Sequence, residues 1–258
     1  MDSKHMKVSI ITPSYNQGQF IERTILSVLN QSYKNIQYIL VDGGSTDNTM
    51  EVVNRYKDKI DIIIHESDKG QSDAINKGFK LAEGELVGWI NSDDVLYQRA
   101  VEKVVKIYSN LNPIKPAVLM PNSVNWIDES DLVIKLRSIK AHKRDDLINN
   151  DYNVVQQGSF YRNSLVRKVG FCNEDIHYCM DLDLILRLTL HGDLYMINGP
   201  IAGFRMSDFT KTSTGFEKFL KDIELCLERN GLKRFSKNWF KLKKELFKGT
   251  IKNAIGFR

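Results

Sequence analysis

Six aspartates, Asp42, Asp47, Asp68, Asp73, Asp93 and Asp94, stand at or just beyond the ends of short apolar runs in the first hundred residues. Carboxylates gathered at one edge of a sheet repel one another unless a cation or hydrogen-bond donors stand among them. Paired hard oxygen donors of this kind suit Mg2+ or Mn2+. Asp and Ser also cap helices at such positions, which explains any one of them better than all six together. Two nucleotide-binding signatures are missing. No strand-to-helix turn reads GxGxxG, because Asp42, Gly43, Gly44, Ser45 lacks the glycine spacing, and no phosphate-binding P-loop occurs.

The elements that must position these acids follow from hydrophobic period. Apolar runs at 8–12, 36–41, 60–64 and 86–90 read as strands, the first ended by Pro13. Amphipathic stretches lie between them: one puts Ile21, Ile25, Val28 and Leu29 on a single face, and another spans 72–82. This is the alternation of βα units around a mostly parallel sheet, whose ligands bind beyond the carboxyl ends of the strands. Past residue 100 the pattern turns mixed, with a helix over 98–110, strand-like runs at 117–120 and 132–136, a helix over 181–190, a strand at 194–197 and helices from 215 onward.

With 258 residues, 42% hydrophobic and 27% charged, the chain can bury one substantial core, and disorder or collagen-like repeats are excluded. No run approaches the roughly 18 consecutive apolar residues of a membrane helix, and the N-terminus lacks the apolar core of a secretory signal, so a cytoplasmic protein is expected. Cys172, Cys179 and Cys226 form no CxxC pair, which fits free thiols in a reducing compartment. Residues 1–6 read as a tag remnant or loose terminus, 7–230 as one domain and 231–258 as a basic tail. The net charge of +5 hides an asymmetry: from 229 to 258 ten Lys or Arg face one acid, Glu245, while the rest of the chain holds 27 basic and 31 acidic residues. One localised anionic partner surface is implied, rather than nucleic acid over the whole body.

Four runs occur in a telling order: Thr12, Pro13, Ser14, Tyr15, Asn16; VDGGSTDNT at 41–49; DKGQSDAINKG at 68–78; and WINSDD at 89–94. Together they resemble the family 2 glycosyltransferases of the GT-A fold. The likeness continues more weakly through QQGSFYR at 156–162 and MDLDLILR at 180–187, and ends near residue 214. It implies an α/β fold, a Rossmann-like, mostly parallel sheet flanked by helices, here followed by a helical basic C-terminal appendage. It also implies a nucleotide diphosphate sugar donor, usually a UDP-sugar, and an acceptor hydroxyl on a glycan or lipid-linked glycan of a surface polysaccharide.

On this resemblance Asp42 accepts the N3–H of the base, a proton that cytosine lacks. Thr12, Pro13 and Tyr15 wall the base, Gly43 and Gly44 let the backbone approach closely, and Asp73 holds the base or ribose side. Asn91, Ser92, Asp93 is the local form of the family's DxD signature with its first acid replaced. A Mn2+ or Mg2+ ion then rests on Asp93 with Asp94 and diphosphate oxygens. Arg205 and Lys211 belong to the segment over the diphosphate, where Ser207 stands in the place many relatives give to His. Asp181 is the expected general base, with Asp183 explained by helix charge and Arg187 by ion pairing. Gln156, Gln157 and Ser159 face the acceptor. A single base implies direct displacement with inversion. Two rivals remain: a sugar nucleotidyltransferase, disfavoured because TPSYNQG carries no Lys or Arg, and a non-catalytic nucleotide- or glycan-binding module.

In the tail, Leu232, Phe235, Trp239, Leu242 and Leu246 recur at spacings of three and four, with Lys233, Arg234, Lys237, Lys241, Lys244 and Lys248 on the other sides. This predicts a basic amphipathic helix. It either docks its apolar face on the domain's own core or lies on an anionic membrane. No nucleic-acid motif accompanies it.

Overall fold

The computed structural model describes residues 6–111, 115–206 and 216–255, with the side chains of 216 and 249–255 excepted. A seven-stranded sheet forms the centre. Its strands are β1 (Val8–Ser14), β2 (Ile36–Asp42), β3 (Ile62–His65), β4 (Leu86–Trp89), β6 (Val118–Pro121), β9 (Phe160–Arg162) and β10 (Leu194–Ile197), in the order β10-β6-β9-β4-β1-β2-β3. Only β9 runs antiparallel to its neighbours. Side chains alternate across the sheet as the strand period requires. Ile11, Ile39 and Val41 enter one core, and Val8, Ile10, Tyr38 and Leu40 the other.

The second core is closed by α1 (Ile21–Leu29) and α4 (Ala100–Asn110), which bury Ile21, Ile25, Val101, Val104 and Val105. The first is closed by α3 (Gln71–Leu81), α5 (Arg144–Asn149), α6 (Asn163–Val169), α7 (Met180–Leu188), α8 (Phe216–Arg229) and α9 (Lys237–Ile255). A short α2 (Thr49–Asn54) follows β2. A second sheet, absent from the sequence reading, packs beside the first: β5 (Val95–Leu96), β11 (Ala202–Arg205), β7 (Ser123–Ile127) and β8 (Val133–Ser138), in that order. Its edge strand β8 is the run expected at 132–136, and it pairs only with β7.

Parallel register puts Ser14, Asp42 and His65 side by side at the carboxyl edge of the main sheet. That edge is where the acid-bearing loops emerge, as the βα pattern predicts. Two boundaries differ from the sequence reading. Met6, assigned to the loose terminus, is buried in the second core, and its carbonyl accepts from the Tyr33 hydroxyl. The tail beyond 230 is not set apart either, since Leu242 is fully buried in the larger core, with Leu232 and Leu246 packed against it. The three thiols are free and buried.

Candidate active site

The loops after β1 and β2 are clasped together before any ligand is considered. The backbone N–H of Asn16 donates to Ser45 Oγ (2.7 Å), and Thr46 N–H donates to Asn16 Oδ1 (2.9 Å). Asp47 accepts from Gly18 N–H (3.0 Å) and Thr49 N–H (2.9 Å), contacts that hold its carboxyl below the usual range against the opposing effect of burial. These short polar residues satisfy loop backbone that no ladder reaches. The clasp leaves Pro13, Tyr15 and Gly43 facing one cleft of about 770 Å³, with Tyr15 mostly exposed at its mouth.

Asp42 does not face that cleft. It is fully buried, and its carboxylate already accepts from Gly44 N–H (3.1 Å), Ser45 N–H (2.8 Å), the Ser45 hydroxyl and His65 Nδ1 (2.7 Å). Asp42, expected to meet a base, here organises the loop through these internal partners. Asp68, which lines the cleft, stands next to the vacancy at Gly43. A Cβ on Gly43 would lie 2.2 Å from Asp68 Oδ2, so the Asp68 carboxylate occupies the room a side chain at 43 would need. Its other oxygen accepts from Gly70 N–H (2.8 Å).

Three further residues expected on the nucleotide side have partners within the protein. Thr12 is fully buried and pairs with the Tyr38 hydroxyl (3.1 Å) behind the wall. Asp73 turns to Lys69 N–H (3.1 Å) and Lys77 Nζ (3.5 Å) in the first turn of α3, away from the cleft lining. Arg205, expected over the diphosphate, is 1% exposed and braces the second sheet. Its guanidinium donates to the carbonyls of Asp93 (2.7 Å) and Asp128 and to the Asp131 carboxylate, and it lies 4.8 Å over the Phe20 ring. Lys211 and Ser207 lie outside the described residues.

The acids of WINSDD divide. Ser92 and Asp93 line the cleft with Trp89 and Asn91. Asp94 is fully buried behind them and accepts from Arg205 N–H (2.9 Å), Gln157 Nε2 (3.0 Å) and Asn91 Nδ2 (3.2 Å). Asp94, expected as a metal ligand, here braces these three segments from behind the cleft. Burial raises the Asp93 carboxyl, opposed by its own backbone N–H and by the Arg205 charge; burial and the Asp93 charge raise Asp94 further. Among the described residues no group of three His, Cys, Asp or Glu could hold a metal ion. One cleft carboxylate, Asp93, does fit a hard divalent cation that takes its remaining ligands from diphosphate and water, the usual arrangement for Mg2+.

On the opposite wall stand Gln156, Gln157, Met180 and Asp181. Gln156 Nε2 donates to the Trp89 carbonyl (2.7 Å), and its Oε1 is buried without a partner. Ser159 is turned away and donates to the Val155 carbonyl, so it does not meet an acceptor. Asp181 opens α7, and one of its oxygens accepts from Leu182 N–H (2.8 Å). Burial pushes its carboxyl up to about 6, against the pull of that N–H, its own N–H and the Arg137 charge. Asp183 points away and pairs with Arg187 (2.7 Å), which also holds the carbonyls of Val169 and Phe171.

Sequence reasoning named Asp68 among the six strand-end acids without giving it a role of its own, and missed Gln71, His177 and Tyr178 as cleft residues. Gln71 reaches Asn91 Oδ1 (2.9 Å), and the N–H groups of His177 and Tyr178 are held by Asp222 of α8 (both 3.2 Å). Such long-range braces leave no local pattern. The arrangement as a whole is an aromatic- and glycine-walled end, a single carboxylate at the centre and a proton acceptor on the far wall.

Residues 9–170 match the sequence model described as glycosyl transferase family 2. Among curated proteins, the chain is 32% identical over 142 residues to an uncharacterised glycosyltransferase of Nostoc sp., covering 54% of this chain and 42% of that protein. It is 42% identical over 100 residues to the putative teichuronic acid biosynthesis glycosyltransferase TuaG of Bacillus subtilis, covering 37% and 39%. The chain thus spans less than half the length of these two relatives. Among solved structures, Staphylococcus aureus TarS 1–349 in complex with UDP superposes with a TM-score of 0.67 at 18% identity, over 94% of this chain and 71% of that one. The mannosyltransferase PcManGT of Pyrobaculum calidifontis, in complex with GDP-Man and Mn2+, gives 0.62 at 16%, over 94% and 69%. At these identities the likeness is one of fold, the GT-A fold.

Proposed function

The chain belongs to glycosyl transferase family 2, and from that premise we propose that it moves a sugar from a UDP-sugar to a glycan or lipid-linked glycan hydroxyl, with inversion, in surface-polysaccharide assembly. The observation that carries this reading is Asp181, a carboxyl raised to about 6 that lines the same cleft as Asp93. A base poised near neutrality accepts a hydroxyl proton and is worth about 10² to 10⁴ in rate.

The uracil lies between Pro13 and Tyr15, with its N3–H donated to Asp68 across Gly43. The diphosphate meets Ser92 and Asp93. Asp93 would hold a Mn2+ or Mg2+ ion, which would supply Lewis-acid neutralisation of the leaving group. Asp181 takes the proton as the acceptor oxygen bonds to the anomeric carbon. The bond from that carbon to the diphosphate oxygen breaks, and UDP leaves with the electron pair. Gln156 Oε1 accepts from a sugar hydroxyl, which supplies the partner its burial demands, and Gln157 holds the wall through Asp94. No described helix is long and apolar enough to cross a membrane. We place the reaction in the cytoplasm, with peripheral attachment at the inner membrane face.

Support for the donor comes from TarS, solved in complex with UDP, and for a metal from PcManGT, solved with GDP-Man and Mn2+. Calorimetric titration of UDP and GDP, each with and without Mn2+, tests the reading. Selective, Mn2+-enhanced UDP binding that is lost in Asp93→Ala but kept in Asp181→Asn is expected. GDP preference, or binding indifferent to Asp93, overturns the donor assignment.

A further inference from the structure

The tail helix has two apolar faces, and only one is used inside the protein. On the inner face Leu242 is fully buried and Asn238 donates to the carbonyls of Leu147 (2.8 Å) and Ile148 (2.9 Å), fixing the rotation of α9 against α5. On the outer face, half a turn of the helix away, Phe240 is 56% exposed and Phe247 67% exposed. Their i, i+7 spacing stacks them in one line, with the exposed Lys244 between them and Lys237 one turn before. Phe235, 62% exposed, extends the line. Its ring packs edge-on against Trp239 at 5.2 Å and lies under the Arg234 guanidinium at 5.0 Å. Its φ of 65° is a left-handed value that a bulky residue rarely adopts, and it holds the ring in the outward cluster rather than in the core.

We infer that this outer face of α9 is a docking surface for an anionic lipid bilayer. The stretch 229–258 carries ten Lys or Arg against one acid. Lys237 and Lys244 form no ion pair with any described residue. Cations alone fit any polyanion, and exposed rings alone fit any apolar partner. Phenylalanine rings and lysines alternating along one helix line fit a surface that is apolar just beneath a negatively charged layer. Because α9 is bolted to the core through Leu242 and Asn238, the face is presented in a fixed orientation. Docking on the core and binding a membrane therefore engage different sides of the same helix.

Cosedimentation of the full chain with vesicles tests this independently of the transfer chemistry. Binding to phosphatidylglycerol-containing vesicles, weak binding to pure phosphatidylcholine vesicles and weakening at high salt are expected. The double variant Phe240→Ser with Phe247→Ser lowers the partition coefficient by about tenfold or more, and each of Lys237→Gln and Lys244→Gln by about fivefold. Both leave UDP affinity and the unfolding transition unchanged, since these side chains touch neither core nor cleft. Wild-type binding by the double Phe variant, equal binding to both vesicle types, or no binding to either overturns the inference. So does self-association, or RNA binding without vesicle binding, that depends on the same two rings.

Discussion

The proposed reading of the base by Asp68 can be tested by moving a carboxylate across a few ångströms. Gly43 has no left-handed φ, so the backbone there accepts an L residue, and the nearest obstacle to a side chain is Asp68. A Cβ at 43 would sit 2.2 Å from Asp68 Oδ2 and 2.8 Å from its Cγ. The Gly43→Ala variant therefore folds, but the Asp68 carboxylate withdraws by about 1 Å or more to recover an ordinary contact distance. That removes a hydrogen bond to a charged acceptor, worth about 1.5–3 kcal/mol, so UDP affinity falls about 10- to 100-fold. Asp68→Ala costs the same by deletion. Gly43→Asp in the Asp68→Ala background brings a carboxylate in from the neighbouring loop and recovers most of the affinity. CMP, which has no N3–H, is indifferent to all three. Calorimetry of UDP and CMP against the four proteins reads the effect. An Asp68→Ala variant that binds UDP like the wild type refutes the assignment, as does a double variant no better than the single one.

Asp181→Asn abolishes transfer while UDP titrates normally, and in the wild type kcat/KM rises with pH through about 6 as Asp181 loses its proton. The same carboxyl penalises the fold. Its folded pKa is raised above the unfolded value, so between about pH 4 and 6 the native state holds the extra proton and stability falls as pH rises. From 3.8 to about 6 the penalty is about 3 kcal/mol above that window, so Asp181→Asn is more stable than wild type by up to about that much at pH 8 and equal to it below pH 4, read by urea unfolding. Arg205→Ala leaves the buried Asp93 and Asp128 carbonyls without their donor and lowers stability by about 3 kcal/mol or more in the same assay. Gln156→Leu removes the buried, unpartnered Oε1 and raises the KM for acceptor with little change in UDP affinity, measured by acceptor titration at saturating donor.

The edge of the sheet that carries the chemistry is legible in the sequence because strands β1, β2 and β4 are short apolar runs that give way to Pro13, Asp42 and the WINSDD acids. Which of those acids faces the cleft is not legible. Asp42 and Asp68 both follow a strand, and what turns one inward is His65, 23 positions on, while what admits the other is an absent side chain at Gly43. Asp93 and Asp94 are adjacent, yet Arg205 and Gln157 claim the second from far along the chain. The small sheet escaped notice for a related reason. Strand β5 is two residues long and β11 four, too short to show alternation; β11 is held by β7 on one side, and β5 pairs in turn with β11. The tail shows the converse limit. Spacing found one apolar stripe through Leu232, Phe235, Trp239, Leu242 and Leu246, but the fold splits it, burying Leu242 and sending Phe235 outward with Phe240 and Phe247. Hydrophobicity cannot choose between two faces that are both apolar. The choice is made by a polar residue, Asn238, buried because the carbonyls of Leu147 and Ile148 at the end of α5 need a donor. In the edge and the tail alike, satisfying buried polar groups rather than apolar period decides which side chains remain free to meet a ligand.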